Sequence, residues 1–329
     1  MHARAIRQSA LVCGLATAAA FVALPAHAAS DPYSAFVFST SSASEPTIYN
    51  FIEQATSSLD MTMYELSDTT VENDLVSLEN SGVDVRVILD QKEKSTNQAA
   101  YTKLSDGGVG VVWSSTSFTY THQKTITINN DQSLILSGNL TSTWYTTTRD
   151  YGVFDSDQND VNAIVNVFNA DYKHSSITPS DGDNLLWSPT SSQSRLVSLV
   201  ESATTSIDVE EEEFSDSALI NALVQDADNG VAVRVVVQDP SDYSSEIQEL
   251  DNAGAQVVGY SSSDALYIHA KAIVVDYGQS DAQVEVGSMN WTSNSLEDNR
   301  ELGIILSDTG VENVVENQFN ADFAGGTSE

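Results

Sequence analysis

The sequence has a single cysteine in 329 residues, Cys13, close to the N-terminus. A chain cleaved beyond it has no disulfide, no thiol nucleophile and no cysteine metal site. Basic residues are scarce as well: 13 Lys and Arg stand against 47 Asp and Glu, a formal charge of −34. So acidic a surface repels polyanions. It argues against non-specific nucleic-acid binding, which depends on Lys and Arg neutralising phosphates, and against docking on an anionic membrane. Solubility, or life in high salt where screening relieves the self-repulsion, accounts for the charge. No EF-hand pattern is present.

The one long apolar run, Leu11 to Leu24, follows Arg4 and Arg7 and precedes Ala26-His27-Ala28. That order reads as a secretory signal peptide over 1–28 and predicts export. The run is short for a membrane span. Its removal takes the formal charge to −36, because Arg4 and Arg7 leave with it. Three histidines then remain: His122, His174 and His269. Of the remaining arginines, Arg86 matches Arg234 and Arg149 matches Arg300 in the repeat described next. His174 reads as an exposed linker residue.

Two stretches share one layout. His122 to Gly152 begins HQKTITIN and continues, after a turn, as LSGNLTSTWYTTTRDYG. His269 to Gly303 begins HAKAIVVD and continues as VGSMNWTSNSLEDNRELG. Each has His-x-Lys, a β-branched run, a turn, then Ser-x-Asn-x-Thr (Ser137, Asn139 and Thr141; Ser288, Asn290 and Thr292). An Arg and a carboxylate follow: Arg149-Asp150 and Arg300-Glu301. The repeat extends upstream. Asp60, Glu65 and Ser67-Asp68 match Asp208, Glu213 and Ser215-Asp216, and GVDVRVIL (82–89) matches GVAVRVVV (230–237). The chain therefore divides into an N-terminal half (29–174), a linker (175–184) and a C-terminal half (185–329).

Strands are expected at 36–44, 59–66, 83–89 and 109–113. Helices are expected over 46–58 and 69–80, the second ended by Gly82, with a short helix closing near Gly107. Strands alternating with helices indicate an α/β fold of mixed, mostly parallel sheets flanked by helices, each half ending in an antiparallel strand pair. The acidic run Glu210 to Glu213 reads as a partly solvated face.

Imidazole can attack phosphorus or protonate a leaving alkoxide at neutral pH. Two histidines facing one phosphate could divide those tasks. Lys124 and Lys271 could hold phosphate oxygens, and Ser137, Asn139, Ser288 and Asn290 could add hydrogen bonds. A carboxylate behind each imidazole could fix its tautomer. Such a site needs no metal and no cofactor. Arg86 and Arg234 read as salt-bridge residues, and Arg149 and Arg300 as braces or plain structure. Trp144 and Trp291 could line a headgroup pocket or pack in the core.

These residues resemble the phospholipase D superfamily, whose signature is H-x-K-x4-D followed by G-S-x-N. His269, Lys271, Asp276, Gly287, Ser288 and Asn290 match in full. The first copy has His122, Lys124, Ser137 and Asn139, but Asn129 at the Asp place and Leu136 at the Gly place; Asp131 lies two positions on. The resemblance implies a pseudo-twofold arrangement with one active site between the halves. It casts His122 as nucleophile, His269 as acid and then base, Asp276 as a supporting residue, and Asp150 and Glu301 as orienting carboxylates. The implied activity is hydrolysis of a glycerophospholipid to phosphatidic acid and headgroup, by a monomer contacting a lipid surface. The alternatives are a nuclease or other phosphodiesterase of the superfamily, and a non-catalytic phosphate- or lipid-binding protein with a decayed first site.

Overall fold

The two halves repeat one strand order. A computed structural model describes residues 31–38 and 44–329; the signal-peptide reading and part of the first expected strand lie outside them. Pro32–Glu329 form one compact unit. The N-terminal half contains strands β1 (Tyr33–Phe38), β2 (Ser58–Met63), β3 (Asp84–Leu89), β4 (Gly110–Trp113), β5 (Thr125–Ile128), β6 (Gln132–Leu136) and β7 (Thr148–Asp155). Its helices are α1 (Ser44–Ile52), α2 (Thr69–Ser81), α3 (Lys94–Asp106) and α4 (Gln158–Tyr172). The C-terminal half contains β8 (Leu185–Ser188), β9 (Ser206–Glu211), β10 (Ala232–Gln238), β11 (Gln256–Tyr260), β12 (Tyr267–Ile268), β13 (Lys271–Val275), β14 (Gln283–Gly287), β15 (Glu301–Leu306) and β16 (Thr327–Ser328). Its helices are α5 (Ser192–Val200), α6 (Ser217–Asp228), α7 (Ser244–Ala253), α8 (Ser293–Glu297) and α9 (Thr309–Gly325).

The first sheet runs β1-β7-β6-β5-β2-β3-β4, and the second runs β16-β11-β10-β9-β13-β14-β15-β8, the same order read in reverse with β16 added. The sheets are mixed, but antiparallel pairs outnumber parallel ones, against the expected balance. Only β2–β3–β4 and β9–β10–β11 run parallel through helical crossovers. The short turns joining β5 to β6 and β13 to β14 impose hairpins, and the strands beside them follow.

Local chemistry sets the ends of the elements. Asp68 caps α2 by accepting from Thr70 N at 2.8 Å, and Gly82 ends it at φ +97°. Asp216 caps α6 in the matching way. Helix α1 stops at Ile52, short of the expected 58. The N–H groups of Thr56 and Ser57 are instead taken by Asn129 Oδ1 at 2.8 and 2.9 Å, which draws that segment out of the helix.

Each sheet covers its own apolar core beneath its helices. A third core joins the halves and includes Tyr151, Val153, Trp187, Val274, Ile304 and Phe319. Burial of such side chains contributes about 1.5–3 kcal/mol each. Acidic side chains lie within these layers as well. Glu210 accepts from the Tyr151 hydroxyl at 2.6 Å, and burial pushes its carboxyl up to about 8. Burial pushes Asp155 up to about 7.

Such groups keep a proton in the folded state that the unfolded chain releases above about pH 4. Their stabilisation is therefore present at low pH and lost as pH rises towards about 8. His122, pushed down to about 4 by burial, acts in the opposite sense below about pH 6.5. Lys124, pushed down to about 7, acts in that sense too, above about pH 7. These are two groups against a larger set of raised carboxyls that also includes Glu316, at about 7, and Asp226, at about 6. The melting temperature is expected to be higher at pH 5.5 than at pH 8.5, with Glu210→Gln narrowing the gap. A scan that is flat across that window would contradict the assignment.

Candidate active site

Strands of one half hold the histidines of the other. The backbone N–H groups of His122 and Gln123 donate to the Arg300 carbonyl at 3.0 and 3.1 Å. The His269 N–H donates to the Arg149 carbonyl at 3.1 Å, where β12 joins the first sheet beside β7.

The carboxylates cross over in the same way. His122 Nδ1 lies 2.8 Å from Glu301 Oε2 of the C-terminal half. His269 Nδ1 lies 2.7 Å from Asp150 Oδ1 of the N-terminal half. Glu301 is held from behind by Ser295 Oγ at 2.5 Å and Asn299 Nδ2 at 2.9 Å. Asp150 is held by Ser137 Oγ at 2.7 Å. Burial works to raise both acids, but the facing imidazole, the nearby lysine and a side-chain hydroxyl together outweigh it and hold each carboxyl below its usual range.

His122 Nδ1 also faces the Ser288 carbonyl at 3.1 Å. Both neighbours are acceptors, so Nδ1 carries the proton and Nε2 keeps its lone pair. Burial pushes the imidazole down to about 4, against the pull of Glu301, so His122 is neutral at pH 7. His269 has a different surrounding. Its Nε2 lies 3.6 Å from Glu212 Oε2, beyond hydrogen-bond length, so the negative charge of a second carboxylate stands beside that nitrogen.

The lysines differ too. Lys124 Nζ donates to the His122 carbonyl at 2.6 Å and lies 5.0 Å from the centre of the Tyr64 ring. Burial, reinforced by the Lys271 charge, pushes Lys124 down to about 7. Lys271 Nζ donates to the His269 carbonyl and, at 2.7 Å, to Glu212 Oε2. Burial works to lower Lys271, but Glu212 and Asp150 outweigh it and hold it above its usual value. The two lysines act on each other's charge, so both halves contribute to one locus.

The family model described as cardiolipin synthase, PLD-like domain, matches this sequence twice, over residues 48–172 and 196–323. The chain belongs to this family. The two matches show the duplication directly. A comparison with curated protein sequences finds no match. Among solved structures, the PLD-like fold here is similar to polyphosphate kinase from Porphyromonas gingivalis (14% identity, TM-score 0.66), covering 88% of this chain and 50% of that one. It is also similar to phosphatidylserine synthase from Haemophilus influenzae Rd KW20 (13% identity, TM-score 0.66), covering 87% of this chain and 84% of that one. The chain thus spans half the length of the kinase.

Within the PLD-like site, one residue expected there is elsewhere. Asp276 does not reach the histidines. It sits just past the far end of β13 from Lys271, at φ +52°, and its carboxylate accepts from the backbone N–H groups of Thr204, Thr205 and Ser206. Burial works to raise it, but these donors outweigh burial and hold the carboxyl below its usual range. Asn129 repeats this clamp on Thr56 and Ser57 at φ +56°. An amide oxygen accepts as a carboxylate does, so Asn at this place leaves the first His intact. Asp131 does not substitute for it; its oxygens face Gln158.

Leu136 is likewise a matter of packing. In the second copy a Cβ on Gly287 would fall 2.8 Å from Glu285 Oε1, so the glycine makes room for a buried glutamate. The first copy has Leu134 at the Glu285 position and fills the space with leucines.

Ser137 and Ser288 are buried and brace the carboxylate strands, so neither is placed as a direct phosphate donor. The amide oxygens of Asn139 and Asn290 are buried without a partner among the described residues, so each amide keeps unused hydrogen-bonding capacity. Trp144 is 54% exposed and lines a cleft of about 590 Å³ together with Glu65, Tyr267 and His269. Trp291 is buried against Phe214. Arg86 and Arg234 form bidentate pairs with Asp60 and Asp208. Arg149 and Arg300 tie the halves through Asp322 and Asp171. His174 is exposed, with Nε2 2.8 Å from the Trp113 carbonyl.

The sequence reading missed Glu212, Ser295, Asn299 and Tyr64. Glu210 and Glu211 of the acidic run are buried, not solvated. The available signal was position: Glu65 matches Glu213, so Tyr64 and Glu212 occupy the same place in the repeat.

Proposed function

We propose that this protein is a secreted phosphodiesterase of the phospholipase D type that hydrolyses a glycerophospholipid to phosphatidic acid and a free headgroup. One observation supports it above others: the two imidazoles, each backed by a carboxylate from the opposite half, have different surroundings. His122 presents a neutral Nε2 lone pair. That nitrogen attacks phosphorus, forming an N–P bond as the P–O bond to the headgroup breaks. His269 Nε2 gives its proton to the departing oxygen. Water then attacks the phosphohistidine, His269 takes the water's proton, and the N–P bond breaks. Lys124 and Lys271 stabilise the charge that develops on the phosphate oxygens. These groups complete both steps without a metal.

In-line attack from His122 puts the leaving group on the His269 side, where the cleft with Trp144 and Tyr267 has room for a headgroup. The exposed Trp144 ring suits a lipid interface. Transfer to an alcohol in place of water follows from the same intermediate. The decayed-site reading loses its support, because Asn129 and Leu136 serve the fold and not the chemistry.

The test is headgroup release from mixed phospholipid vesicles in EDTA, at low and high salt, with DNA, RNA and small phosphodiesters as parallel substrates. Phosphatidic acid is the expected product. Turnover of nucleic acid with no lipid cleavage at either salt would overturn the lipid reading while keeping the phosphodiesterase.

A further inference from the structure

The duplicated site repeats its histidine, its lysine and a backing carboxylate, Asp150 in one copy and Glu301 in the other, but beside each histidine stands a residue of a different kind. Just past the end of β2 stands Tyr64, and just past the matching end of β9 stands Glu212. Tyr64 meets the His122 ring edge-on at 4.5 Å between centroids, and its hydroxyl donates to Glu93 at 3.2 Å. Glu212 lies 3.6 Å from His269 Nε2 and 2.7 Å from Lys271 Nζ, and accepts from the Tyr267 hydroxyl at 2.9 Å.

We propose that Glu212 is a positioning residue that sets the direction of the reaction, making His269 the acid and leaving His122 the nucleophile. The inference rests on the phosphohistidine reading given above. Three consequences of the geometry carry it. A carboxylate 3.6 Å from Nε2, too far for a hydrogen bond, sets negative charge beside a proton held there, so His269 Nε2 is disposed to deliver one rather than to attack. Lys271 is neutralised by Glu212, whereas Lys124 forms no ion pair among the described residues. On the His122 side, no carboxylate ion pair therefore competes with the phosphate for the donors of Lys124. Tyr64 offers His122 Nε2 no charge, so its lone pair stays available. A repeat with Tyr at both places, or Glu at both, would not distinguish the two imidazoles in this way.

The step Glu212 serves is the first one. As the N–P bond forms at His122 and the P–O bond breaks, the alkoxide takes its proton from His269 Nε2. A p-nitrophenolate leaves without that proton, whereas an alkyl alkoxide needs it. The experiment compares Glu212→Gln with wild type on an alkyl phosphodiester and on a p-nitrophenyl phosphodiester. The variant is expected to lose at least roughly tenfold more kcat on the alkyl ester than on the aryl ester, within the range of general-acid effects. Equal losses on both would make Glu212 merely structural and overturn the proposal.

A second variant, Tyr64→Glu with Glu212→Tyr, reverses the asymmetry. Trapped phosphohistidine is expected at residue 122 in wild type and at residue 269 in the exchange variant. Label that remains at 122 overturns the proposal. A wild-type chain inactive on both esters overturns the functional reading instead. The contact is then read by the ¹⁵N resonances of His269: a Nε2 signal identical in wild type and Glu212→Gln overturns the positioning role.

Discussion

Alanine at His122 is expected to abolish phosphodiester turnover, by on the order of 10⁴-fold or more, and to leave no trappable phosphoenzyme. Alkyl and aryl esters should suffer alike, because the lost group is the nucleophile. His269→Ala should spare part of the aryl reaction, since only the proton donor is gone. Wild type, stopped rapidly in alkali to preserve the acid-labile N–P bond, should carry phosphate on His122 alone. The expectation stems from the neutral imidazole, with Nδ1 donating to Glu301 and Nε2 free. If His122→Ala kept more than about a hundredth of the wild-type rate, water activated by His269 would be attacking directly, and the covalent route would be abandoned.

The second large effect falls on stability. Arg149 is buried, and its guanidinium meets Asp322 at 2.5 and 3.0 Å and the Phe38 carbonyl at 2.5 Å. Arg149→Met leaves Asp322 as a buried carboxylate without its partner, a loss of about 3–5 kcal/mol where one member of a buried pair is removed. Urea denaturation gives the value. Arg195→Met is the control: its partner Asp181 is 45% exposed, and such a pair contributes only about 0–1 kcal/mol. Equal losses in the two variants would deny that the Arg149 pair fastens the halves. Adding Asp322→Asn to Arg149→Met should recover part of the loss, because the amide removes the stranded charge.

Much of this was legible in the sequence. Matched spacing singled out both histidines, both lysines, Asp150 and Glu301, and the structure joins them in two imidazole–carboxylate pairs with a lysine beside each histidine. Spacing could not show that Asp150 serves His269 and Glu301 serves His122. A repeat fixes distance along one half and says nothing of which half a side chain reaches across to. Asp276 was misplaced for a simpler reason. Five strand residues at about 3.3 Å each separate it from the Lys271 end of β13, and its left-handed backbone turns it onto the β9 entry. Glu212 was hidden by composition. In a chain with 47 acids, four glutamates in a row read as a partly solvated face, which holds for Glu213 but not for Glu210 and Glu211. Strand alternation and a lysine in the site give them separate surroundings instead. The shortened α1 was invisible for a related reason: the residue that interrupts it, Asn129, is more than seventy positions away.

The crossed carboxylates tie chemistry to the completion of folding. With either half folded alone, His122 would have no Glu301 and His269 no Asp150, and no reacting nitrogen would hold its proton in the required place. On the proposed mechanism, a half folded alone is therefore expected to cleave no phosphodiester. If the proposed mechanism holds, activity is expected to appear only as the interface between the halves closes, so an unfinished molecule would stay silent without an inhibitory segment.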